Sequence, residues 1–72
     1  MMTVETVLRG KAKIGDVVIF LEAGWQIGCT RKDNEDLYFR SLSSDLLKRE
    51  VRHYAYEERD WLIGKALVLR IW

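Results

Sequence analysis

The 72-residue chain contains no proline, a single cysteine (Cys29) and a single histidine (His53). One cysteine cannot form a disulfide within the chain, and one cysteine with one histidine cannot supply the four ligands of a structural zinc site. We therefore expect no metal and no cofactor, and a lone cysteine is typical of a reducing compartment. A domain of this length must rely on its hydrophobic core and, where the core is insufficient, on a partner chain.

Strong net charge and long apolar runs are also missing. The 12 basic and 11 acidic residues give a net charge of +1, which provides no overall attraction to nucleic acid or to an anionic membrane. No run approaches the roughly 20 apolar residues of a membrane span, and the first residues lack the basic and apolar regions of a signal peptide. We expect a cytoplasmic protein that does not contact membranes.

What the chain does contain is a series of short apolar stretches separated by glycines and polar clusters. Strands are predicted at residues 3–9, 17–21, 25–30, 37–42 and 66–72. A hairpin is predicted over residues 25–42, with its tip at Asp33 and Asn34. The pattern over residues 45–56 fits a helix or a strand, and we favour a helical turn near 45–49 followed by extended chain.

These elements predict one mostly β domain over residues 1–72: a small curled antiparallel sheet or barrel of about five strands with one short helical turn. Trp25, Ile27 and Cys29 alternate with Gln26, Gly28 and Thr30, which predicts that the first three point into the core. Trp61 is expected inside as well.

Residues 66–72 are apolar on both faces except at Arg70, and two arrangements remain open. The strand lies in the centre of the sheet, paired on both sides, or it associates with a second copy of the chain. In the second arrangement the candidate interface residues are Leu69, Arg70 and Trp72, and Trp72 either fills a pocket in the partner or caps its own fold. The function that this favours is a non-catalytic protein-interaction or self-association module.

Two motifs occur in an order that resembles the LexA-like and signal-peptidase-like serine–lysine peptidases. Gly15-Asp16 precedes the apolar segment Val17-Val18-Ile19-Phe20, and Ile63-Gly64-Lys65 precedes the apolar segment Ala66-Leu67-Val68. Between them, residues 37–42 are similar to the leucine-rich strand that precedes a polar corner in that family. The resemblance implies that β-fold.

The same resemblance implies that the activity is missing. The family's nucleophilic serine precedes the Gly-Asp pair, where this chain has Val7, and its general-base lysine lies in the strand that here begins at Trp25, near Gly28. A hydroxyl nucleophile needs such a base to take its proton. The chain is then a catalytically empty relative of the LexA-like fold.

An alternative function is a small β-barrel that binds nucleic acid. Arg49, Arg52, Tyr54 and Tyr56 would supply the charge and the stacking surfaces for single strands. Glu50, Glu57, Glu58 and Asp60 lie among the same residues and reduce the charge of this stretch.

No nucleophile–base pair or metal-ligand set is recognisable in the sequence, so we predict no hydrolysis of peptide or ester substrates. Ser41, Ser43 and Ser44 should remain unmodified by serine-directed probes, because a hydroxyl without an activating base is a poor nucleophile. Mass spectrometry of the probe-treated protein measures this. Stoichiometric labelling of any of the three serines would contradict the prediction.

Overall fold

The computed structural model describes residues 2–34 and 42–72, which form two short helices and four strands. In chain order they are α1 (Val4–Gly10), β1 (Val17–Glu22), β2 (Trp25–Arg31), α2 (Ser44–Lys48), β3 (Val51–Glu58) and β4 (Lys65–Ile71). The strands form one sheet in the order β2-β1-β4-β3. Within the described ranges the fold is therefore mostly β, as expected, but it has four strands rather than five, two helices rather than one helical turn, and an open sheet rather than a barrel.

The two central strands, β1 and β4, are parallel, with Val18 opposite Leu67 and Glu22 opposite Ile71. The outer pairs β1–β2 and β3–β4 are antiparallel, so the sheet is mixed and the expectation of a purely antiparallel sheet is wrong. Strands that are buried on both faces are apolar along their whole length. The apolar sequence of residues 66–72 thus reflects the central position of β4, the first of the two predicted arrangements.

Residues 3–9 form the helix α1 instead of the predicted strand. Thr3 caps the helix, because its side chain accepts a hydrogen bond from the Thr6 backbone N–H at 3.3 Å. Val4, Val7 and Leu8 are buried and have the i, i+3, i+4 spacing of one helix face. The prediction followed the alternation of Val4, Thr6 and Leu8, and over seven residues this alternation cannot be distinguished from a helical period.

The predicted helical turn followed by extended chain is confirmed by α2 and β3. Ser43 caps α2 by accepting a hydrogen bond from the Leu46 backbone N–H at 3.1 Å. A hairpin joins β1 to β2, the strands predicted at residues 17–21 and 25–30, through Ala23 and Gly24, which both have positive φ, as a tight two-residue turn requires. The hairpin predicted over residues 25–42 is a separate element. Of the second arm predicted for the hairpin, residues 37–41 lie outside the described residues.

The core has two parts, one on each face of the sheet. On one face, α1 packs on the central strands through a cluster whose strand members include Val18, Phe20, Leu67 and Leu69. On the other face, Ile19, Ala66 and Val68 are buried and Leu62 packs against them. Among residues 2–34 and 42–72, no helix is long and apolar enough to cross a membrane.

Four residues that were expected inside are exposed, and Ile27, at 47%, is one of them. Trp25 is 77% exposed and Trp61 59% exposed, and Cys29 is also on the surface. Trp25 and Cys29 belong to β2, which lies at the side of the four-stranded sheet, whereas the core is centred on β1 and β4. The alternating apolar and polar residues show which side chains share a face of β2. They do not show whether the apolar face of this strand points towards the core.

The exposure of Cys29 predicts rapid alkylation of the thiol in native buffer, because a surface side chain needs no unfolding to react. The rate should approach that of the urea-denatured protein under the same conditions. Cys29→Ala should change the free energy of unfolding by no more than about 0.5 kcal/mol. A thiol that reacts only after denaturation would contradict the position of β2.

Candidate functional site

The three predicted interface residues do not form one surface. Trp72 follows β4 and is 66% exposed, whereas Leu69 is completely buried beneath α1. Arg70 lies between them in sequence and points to the opposite face of the sheet from Leu69, because successive strand residues alternate. Of this set, Trp72 alone presents a large apolar surface to solvent.

Arg70 is engaged within the chain. Its guanidinium donates hydrogen bonds to both carboxylate oxygens of Glu57, at 2.5 and 3.1 Å, and Arg59 donates to the same carboxylate at 3.3 Å. The hydrogen bonds from Arg70 lower the pKa of Glu57, and the same contact raises the pKa of Arg70. This bidentate pair ties β3 to β4.

The four residues of the nucleic-acid alternative divide into two pairs: Tyr54 and Tyr56 lie on one face of β3, opposite Leu69 and Leu67, and Arg49 and Arg52 lie towards the start of that strand. Tyr54 packs against the core on the α1 side. Tyr56 donates its hydroxyl hydrogen bond to the Asp16 carboxylate, and burial together with this acceptor raises the pKa of Tyr56 to about 12. Arg49 and Arg52 both contact Trp72 instead.

Trp72 and Trp25 lie at the same end of the sheet. Glu22, the last residue of β1, is opposite Trp25 on one side and Ile71 on the other, so the residue after Ile71 leaves the sheet at this end too. We call the surface formed by Glu22, Trp25, Arg49, Arg52 and Trp72 the tryptophan end. No sequence pattern indicated it, because its members come from three separate segments of the chain, residues 22–25, 49–52 and 72.

The backbone of Trp72 is fixed although its indole is exposed. The Trp72 N–H donates to the Glu50 carbonyl at 3.2 Å, and the Trp72 carbonyl accepts a hydrogen bond from the Arg49 guanidinium. The guanidinium of Arg52 lies 5.5 Å from the centroid of the Trp72 ring, within the range of a cation–π contact. The main chain of Trp72 is thus held by two hydrogen bonds, and its indole contacts Arg52 on one side.

The two arginines of the tryptophan end differ in whether they have an acidic partner. Arg49 forms an ion pair with Glu22, so its charge is balanced locally. Among the described residues Arg52 has no carboxylate within ion-pair distance, and its guanidinium contacts the Trp72 ring. The tryptophan end therefore combines two exposed indoles with one cation that has no acidic partner.

Lys32 is a buried residue that the sequence did not reveal. It follows β2 in a wholly polar stretch, yet it is only 2% exposed. Its Nζ donates to the carbonyls of Leu8 and Ala12, at 2.8 and 2.9 Å, at the end of α1 and just beyond it. An ammonium group suits carbonyls that have no partner at a helix C-terminus, but the twenty or more residues between these groups leave no local signal.

Two observations bear on metal ligation and on thiol chemistry. In the described part of the chain, no group of three or more His, Cys, Asp or Glu side chains is placed to hold a metal ion. Cys29 and His53 lie on β2 and β3, the first and last strands of the sheet order. Three strand spacings separate them, about 14 Å, so His53 cannot act as a base for the Cys29 thiol.

Comparison of the chain with protein-family models, with curated proteins and with solved structures gave no match. Its function is therefore inferred from the residues and their arrangement.

Replacing Lys32 with Met should destabilise the fold by about 2 kcal/mol, because the Leu8 and Ala12 carbonyls lose a buried donor. Denaturant unfolding followed by circular dichroism measures the change. Lys13→Met is the control: Lys13 is exposed, and its loss should cost no more than about 0.5 kcal/mol. Equal effects of the two substitutions would contradict a structural role for the Lys32 ammonium.

Proposed function

We propose that this chain is a non-catalytic protein-interaction module whose contact surface is the tryptophan end. The observation that carries the proposal is the exposed indole of Trp72, whose main chain is held by hydrogen bonds at both its N–H and its oxygen. Trp and Arg are the residues that most often dominate the binding energy of protein interfaces. Both occur here, in direct contact.

The fixed position of the indole favours binding. Ordering a flexible side chain or loop at an interface costs free energy that weakens association. The bonds from Glu50 and Arg49 have already ordered the Trp72 backbone, and the contact with Arg52 restricts the ring. When the indole is buried in a pocket of the partner, little of the favourable free energy of burial is therefore lost to ordering Trp72.

The partner is another protein or a second copy of this chain. Pairing of β4 with a second copy is not available, because both edges of this strand are already bonded, to β1 and to β3. Self-association would instead bring two tryptophan ends together by side-chain packing. A two-fold axis would place the same surface of each copy in contact.

Nucleic-acid binding has less support. Arg49 is paired with Glu22, Tyr54 packs against the core and Tyr56 is bonded to Asp16. Arg52 is the one member of the predicted set that keeps an exposed charge with no acidic partner among residues 2–34 and 42–72. A single cation gives too few phosphate contacts for useful affinity at physiological salt.

Kinship with the LexA-like peptidase scaffold remains part of the proposal. What supports it is that the two motif-bearing strands are neighbours: β1, which follows Gly15-Asp16, pairs directly with β4, which follows Ile63-Gly64. The positions of the family's two catalytic groups are occupied by Val7, which is buried in α1, and by Gly28. We propose that the chain has the β-fold of these peptidases but not their serine–lysine catalysis.

Sedimentation velocity over a wide micromolar range tests the self-association form of this function. The wild-type chain should associate as its concentration rises, and Trp72→Ser should weaken the association about tenfold or more, as expected for an anchor residue. Trp61→Ser is the matched control, because Trp61 is similarly exposed but lies in the β3–β4 connection at the other end of the sheet. Both variants should keep the wild-type circular dichroism spectrum.

A wild-type chain that stays monomeric at every concentration would exclude the second copy as partner. Titrations with single-stranded RNA and DNA at two salt concentrations decide the alternative. Tight, salt-sensitive binding that Arg52→Gln abolishes would contradict the proposal and establish nucleic acid as the ligand.

A further inference from the structure

We draw no further inference here: the strongest candidate, the outer edge of β2 with its exposed Ile27, is interrupted by a bulge that leaves Ile27 without an opposite residue in β1, and nothing in the structure shows what covers it.

Discussion

The parallel pairing of β1 with β4 is the constraint on which the rest of the molecule depends. Ile19 and Phe20 in β1, and Val68 and Leu69 in β4, are fully or almost fully buried, so the pair contributes to the core on both faces of the sheet. Two parallel strands need a long connection between them. Here that connection carries β2, α2 and β3, and the outer strands then pair on either side of the central two.

This arrangement limits where the chain can bind anything. The backbone of β4 is bonded on both sides, and α1 covers one face of the central strands. Several polar side chains are also used inside the molecule: Arg49 binds Glu22, Arg70 binds Glu57, and Tyr56 binds Asp16. The large apolar side chains that remain accessible lie mainly at the two ends of the sheet, and the proposed surface contains the two tryptophans at one of them.

Local patterns were enough to predict the central strands and the α2–β3 segment. The continuous apolar sequence of β1 and the double-sided apolarity of β4 fit burial on two faces, although the sequence left a second copy open as the neighbour of β4. The polar residues 43–45 offered several caps for a helix, and Ser43 is the one used. The short helix α1 was missed because the spacing of its apolar residues also fits a strand.

Other features depend on tertiary contacts that no local pattern encodes. Alternation in β2 separates its two faces, but only the sheet order shows that Trp25 and Cys29 lie away from the core. The polar sequence around Lys32 indicates a surface residue. Only the folded structure brings the carbonyls of Leu8 and Ala12 to its ammonium group. The tryptophan end was only partly anticipated: Trp72 was a candidate from the sequence, whereas its neighbours are assembled by folding.

Amide hydrogen exchange, measured residue by residue at low and high protein concentration, tests the central position of β4 most directly. Strands at the centre of a sheet open only with global unfolding, whereas outer strands open locally. We predict that the β4 amides between Ala66 and Leu69 exchange most slowly, more slowly than those of β2, and at rates that do not depend on concentration. Fast exchange in β4, or protection that appears only at high concentration, would show that the strand is completed by a second chain and would contradict this account.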